Sequence, residues 1–254
     1  NFLNVRNSFV FESVEKGFIK GRYTIFGKNP DKIWEFNNNN SYLIQNNKKI
    51  ILKDKPNQLI EKIIEEFKFE TPKNLPKICS LISGYFSYDS IRYIEKIPNK
   101  CKNDLNLPDV RLLRPRTLVI HDNLKKEMFF ISNIFQDEKI KNYQKKYDDI
   151  KTDLFRLIIQ SSIKNIDTKP NQKIKDIKVK SNTSKNRFLA MVNKAKKYIK
   201  LGDIFQVVLS QRFEASLTKE PLEIYKKLRI TNPSPFMFFF NFNDFQIIGA
   251  SPEI

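Results

Sequence analysis

The stretch Asn232–Ile254, NPSPFMFFFNFNDFQIIGASPEI, reads as a proline-rigidified turn, a strand, a tight turn and a return strand. Asn243-Asp244 between two apolar runs is the short polar pair that a tight hairpin turn favours. Immediately upstream, Leu222–Leu228 has the spacing of a short helix, so the segment predicts helix, turn and hairpin in that order.

Further upstream lies Gly202–Phe213, GDIFQVVLSQRF, which reads as a buried strand. Its alternation puts Ile204, Gln206, Val208 and Ser210 on one face and Phe205, Val207, Leu209 and Gln211 on the other. Gln206 stands in the middle of that apolar run. A buried amide without partners costs about 1–3 kcal/mol, so Gln206 either meets a polar neighbour or lines a wet pocket. The pattern alone leaves both open. A helix precedes this stretch, with Ser184 as its cap, Phe188, Met191, Val192, Ala195, Tyr198 and Ile199 on its buried side, and Gly202 at its left-handed stop.

The first part of the chain is strand-rich: SFVFESV, RYTIFG, SYLIQ, KKIILK, SLISGYFSYDSIRYI, RTLVIHD and EMFFISNIF, punctuated by Asn and Pro. Asp122-Asn123 marks a hairpin turn. Helical spacing appears over Asn57–Lys68 and over Asp137–Ser161. Ser162–Ser184 is polar and lysine-rich and reads as a linker or surface excursion. The expected organisation is therefore an N-terminal region over 1–161, the excursion over 162–184 and a second domain beginning at 185.

At 254 residues and 40% hydrophobic content the chain can build a substantial core. Two cysteines, Cys79 and Cys101, make no disulfide framework, which fits a reducing compartment. No apolar run reaches the ~18 residues of a membrane span, and the first residues given lack the basic-then-apolar layout of a signal peptide. We therefore expect a cytoplasmic protein with no membrane partner. The net charge of +18 raises the possibility of a nucleic-acid binder. Only ten of the 46 basic residues are Arg, however, and the lysines are scattered among Asn and Ile with no nucleic-acid motif. We expect no nucleic-acid partner. The chain opens without Met and stops at Ile254 just after SPE, so a piece of something longer is expected.

YIKLGDIFQVVLSQRF and NPSPFMFFFNFNDFQIIGASPE together resemble the chorismate-binding family, and within it the large subunit (component I) of anthranilate synthase. SFVFESVEKG at 8–17, SGYFSYDSIRYIEKIP at 83–98 and NDLNLPDVRLLRPRTLVIHD at 103–122 resemble the same subunit, in the same order. The sister branch, aminodeoxychorismate synthase, shares the strand motif but differs elsewhere. The resemblance implies an α+β fold, with antiparallel sheets packed face to face and helices outside. It also implies that 1–161 is a tryptophan-regulatory region and that 185–254 begins the catalytic domain.

The implied chemistry is conversion of chorismate and ammonia to anthranilate and pyruvate, the first committed step of tryptophan biosynthesis, with Mg²⁺ as cofactor. Ammonia would come from glutamine through a partner amidotransferase subunit. Gln206 matches a position that is lysine in isochorismate-forming relatives, where it activates water. An amide has no accessible pKa and cannot act as a base, which suits an enzyme whose nucleophile is ammonia. Glu253 matches the glutamate proposed to protonate the departing hydroxyl. The Mg²⁺ ligands are expected after residue 254, and none is assigned within these residues. L-Tryptophan, the end product, is implied as feedback inhibitor, with Glu12, Ser13, Asn232, Pro233, Pro235, Phe236 and Met237 at its site. An anion for the ammonium, a hydroxyl and an apolar wall for the indole are reasonable parts of such a site. For this chain by itself, a non-catalytic tryptophan-binding module is the competing reading.

Overall fold

The computed structural model describes residues 2–14, 21–162 and 177–252. The chain divides into two compact units, Asn1–Lys164 with Pro221–Ile254, and Asn165–Glu220. The strands are β1 (Ser8–Glu12), β2 (Tyr23–Asn37), β3 (Asn40–Gln45), β4 (Lys48–Leu52), β5 (Ser83–Phe86), β6 (Val110–Asp122), β7 (Glu127–Ser132), β8 (Val179–Ser181), β9 (Phe213–Ala215), β10 (Phe236–Asn241) and β11 (Gln246–Ser251). The helices are α1 (Pro56–Glu66), α2 (Tyr143–Ser162), α3 (Lys185–Leu201) and α4 (Pro221–Thr231).

The first unit is organised by two long strands, β2 and β6, paired antiparallel from Tyr23↔Asp122 to Phe36↔Val110. The register shifts between Pro30 and Lys32. Proline donates no ladder hydrogen bond, and bulges are where a strand tolerates it. The shift divides the nine-stranded sheet into two halves. On one side the order is β11-β10-β1-β2-β6-β7, and on the other β4-β3-β2-β6-β5.

Side chains from both halves meet in one core, with Phe9, Leu118, Ile120, Ile131, Phe240 and Phe242 from the first and Ile33 and Leu113 from the second. This is the antiparallel, face-to-face arrangement that the resemblance implied. The opposite faces carry helices. Leu59 and Ile63 of α1 pack on Trp34, Phe36, Val110 and Leu112. Tyr225 of α4 packs on Leu3, Val10, Met237 and Phe239. Alternation along β10 explains the split: Phe238 and Phe240 face the shared core, while Met237 and Phe239 face α4.

Helix α2 begins at Tyr143 rather than at Asp137. Asn142 Oδ1 accepts from Lys145 N–H at 2.9 Å and caps the first turn, while the Asp137 carboxylate is engaged by Arg114 and Lys32. The stretch 185–254 is shared between the units, α3 and β9 in the second and α4, β10 and β11 in the first. Most of 162–184 lies outside the described residues.

In the second unit α3 is stopped at both ends as its residues dictate. Ser184 Oγ accepts from Arg187 N–H at 3.3 Å. Gly202 takes φ 78°, and the N–H groups of Gly202 and Asp203 reach the carbonyls of Ile199 and Tyr198 at 3.1 and 3.0 Å. That is the double hydrogen bond of a Schellman stop. The buried strand expected over Gly202–Phe213 does not form. Residues 204–212 lie outside any strand, and only Phe213–Ala215 pairs, with β8. Phe205 is 99% and Val208 83% exposed. Alternation decides which face a strand would bury but supplies no partner, and among the described residues no strand pairs with 204–211.

Candidate functional site

The residues singled out at the two ends of the sequence meet on one edge of the first unit. β1 and β10 pair antiparallel from Ser8↔Asn241 to Glu12↔Met237. Beyond the strand end, Val14 N–H donates to Ser234 carbonyl at 3.1 Å. FES and NPSPFM, more than 200 residues apart in sequence, are therefore neighbours.

The turn between α4 and β10 is held by Ser234. Asn232 N–H closes the last turn of α4 on Leu228 carbonyl at 2.8 Å, and Pro233 prevents continuation. Ser234 is 5% exposed; its hydroxyl donates to Ser251 carbonyl and accepts from Phe236 N–H at 3.3 Å. Asn232 and Pro233 are exposed and Pro235 is half-buried.

Glu12 is not a free anion. Tyr225 Oη donates to Glu12 Oε1 at 2.5 Å, and Arg229 Nε donates to Oε1 and Oε2 at 2.9 and 2.8 Å. Burial, reinforced by the neighbouring Glu12 carboxylate, pushes the Tyr225 phenol well above its ordinary range, so it remains a donor. The Glu12 side chain is 10% exposed against 48% for Arg229. One end of this pair is thus inside and the other is in water.

Ser13 Oγ is buried and has no hydrogen-bond partner among the described residues. Behind it Gly21 adopts φ 90°, and a Cβ there would stand 3.2 Å from Ser13 Oγ. Leaving a buried hydroxyl unmatched costs about 1–3 kcal/mol, so a polar partner at this oxygen, water or ligand, would be stabilising. Met237, paired with Glu12, is 1% exposed within the core beneath α4. Phe236 alternates to the opposite face and is 44% exposed.

Glu12, Ser13, Pro235, Phe236 and Met237 are therefore brought to one strand end. Gln206 is exposed in the second unit, and Glu253 lies outside the described residues. Ser234 lies within the NPSPFM stretch that the resemblance implied, whereas sequence reasoning missed Tyr225 and Arg229. These two are four positions apart on α4 and share a helix face, which the sequence shows, but their partner Glu12 lies more than 200 residues away. Among the described residues no group of three or more His, Cys, Asp or Glu could hold a metal ion. No described helix is long and apolar enough to cross a membrane.

The sequence pattern of the family described as chorismate binding enzyme matches residues 9–254. Anthranilate synthase component 1 of Acetivibrio thermocellus is 38% identical over 251 residues, covering 97% of this chain and 51% of that protein. The component 1 of Cereibacter sphaeroides is 34% identical over 260 residues, with 98% and 51% covered. The crystal structure of anthranilate synthase component I from Streptococcus pneumoniae TIGR4 superposes with a TM-score of 0.74 at 28% identity, over 91% of this chain and 50% of that one. The chain spans about half the length of the curated relatives it matches.

Proposed function

The chain belongs to the chorismate-binding enzyme family, and from that premise we propose that the whole protein is the large subunit of an anthranilate synthase. It would convert chorismate and ammonia to anthranilate and pyruvate, in tryptophan biosynthesis. The similarity to two proteins named anthranilate synthase component 1 supports this over the aminodeoxychorismate branch. A glutamine amidotransferase partner supplying ammonia, Mg²⁺ as cofactor, Gln206 lining the chorismate cavity and Glu253 as general acid belong to the same proposal. The region 1–161 would be regulatory and 185–254 would open the catalytic domain.

The observation that carries the regulatory half is the Glu12↔Met237 register, with Ser13 Oγ buried and unmatched beside it. Binding of L-tryptophan at this strand end would satisfy that hydroxyl. Losing a hydrogen bond to a charged ligand group costs about 1.5–3 kcal/mol, so Ser13→Ala should weaken L-tryptophan about ten-fold or more. Calorimetric titration of the purified chain measures it, and an unaltered Kd would place the ligand elsewhere. The activity itself is tested with the whole protein, chorismate, ammonium and Mg²⁺. Anthranilate fluorescence that grows with time and falls with added L-tryptophan is the expected result. An aminated product that keeps its enolpyruvyl side chain would overturn the assignment in favour of the aminodeoxychorismate branch.

A further inference from the structure

Glu12 is tied to α4 by two groups of very different character. A carboxylate offers about four lone-pair positions. Among the described residues three are taken: Oε1 accepts from Tyr225 and Arg229, and Oε2 accepts from Arg229. Tyr225 is 4% exposed inside the cluster with Leu3, Val10, Met237 and Phe239, so it is a fixed partner. Arg229 is half-exposed in the last turn of α4 and can rotate into water. It is the exchangeable partner.

An ammonium approaching Glu12 can take the remaining position on Oε2 only beside the Arg229 guanidinium. Two cations within a few ångströms of one another repel, and guanidinium is always charged. We propose that Arg229 competes with the effector's ammonium for Glu12, so that ligand binding is exchanged against the tie between α4 and β1. The proposal rests on the effector reading of this site and adds to it the group that ligand must displace. Affinity is then set by a residue that repels the ligand, and α4 is freed from β1 at one contact when the ligand is seated. Because α4 runs directly into the turn that begins β10, that release acts on the same turn that Ser234 holds.

The experiment is titration of the purified chain with three probes: L-tryptophan, tryptamine, which has the ammonium but no carboxylate, and indole-3-propionate, which has the carboxylate but no ammonium. Arg229→Gln removes the charge and keeps a hydrogen-bond donor; Arg229→Ala is carried beside it, and circular dichroism and thermal melting check both for folding. Removal of a half-exposed competing charge should tighten L-tryptophan and tryptamine about five-fold. Indole-3-propionate should not tighten, and Arg229→Lys should stay close to wild type. Unchanged or weakened L-tryptophan binding in both charge-removing variants overturns the proposal, as does equal tightening of all three probes. If the wild-type chain binds none of the probes, the effector reading itself fails; if it binds and the variants do not differ from it, only the competition fails.

Discussion

Asp122 closes β6 at the turn to β7 and is 2% exposed. The Arg22 guanidinium donates to it at 2.8 Å, and the N–H groups of Leu124 and Lys125 at 3.0 and 3.1 Å. Led by the Arg22 bond and opposed by desolvation, these hold its pKa down to about 2, below the ordinary 3.8. A depressed folded-state pKa contributes stability that is complete above the unfolded value and lost as pH falls through the folded one. Wild type should therefore exceed Asp122→Asn in melting temperature by a constant margin at neutral pH, and the margin should shrink between about pH 4 and 2. A margin that does not change over that range would mean the carboxylate charge contributes nothing. Gly84 makes a second single-residue case. A Cβ there would lie 1.9 Å from Arg111 carbonyl, a backbone atom of the paired strand that cannot swing aside. Gly84→Ala should destabilise by about 1–3 kcal/mol in urea denaturation, since β5 must move off β6.

The hairpin of β10 and β11 is pinned at its tip. Arg111 on β6 reaches Asp244 at 2.5 Å and Glu35 on β2 at 2.5 Å. The Arg111 and Glu35 side chains are 7% and 5% exposed, whereas Asp244 is 55% exposed. Arg111→Ala leaves buried Glu35 with Lys49 as its one remaining cation among the described residues, and breaking a buried pair costs up to about 3–5 kcal/mol. Removing an exposed partner costs about 1 kcal/mol or less. Arg111→Ala should thus lower unfolding stability several times more than Asp244→Ala, and equal losses would show that the tip contact dominates. The hairpin itself was readable because its turn and its apolar runs are local. So was α3, whose Ser184 cap and Gly202 stop sit within the helix's own sequence. The Arg111 cluster was not, because its members are 76 and 133 positions apart from one another and only the sheet register joins them. The same limit hid Glu12–Tyr225–Arg229, where partners are separated by 213 and 217 residues. Over 204–212 the opposite failure occurred: a convincing strand pattern without an edge to join.

Across the whole molecule, order is concentrated in the β2–β6 ladder, while the second unit exposes Phe205, Val207 and Val208. Backbone amides outside any ladder open at almost no cost, and central strands open only with global unfolding. Hydrogen exchange should show amides 204–211 exchanging within seconds and those of Ile25, Phe26, Val119 and Ile120 protected the longest. Protection over 204–211 would reveal pairing that the chain makes in solution. The β1–β10 pairing also carries a meaning in time. Without β10, β1 is an edge strand that presents Phe9 and Phe11 beside unpaired backbone. A ribosome adds about 5–20 residues each second, so the roughly 230 residues between Glu12 and Asn241 take about 10–45 s to appear. During that interval the nascent chain holds an open apolar edge along β1. The hairpin that eventually covers that edge is one of the last parts of these residues to be made.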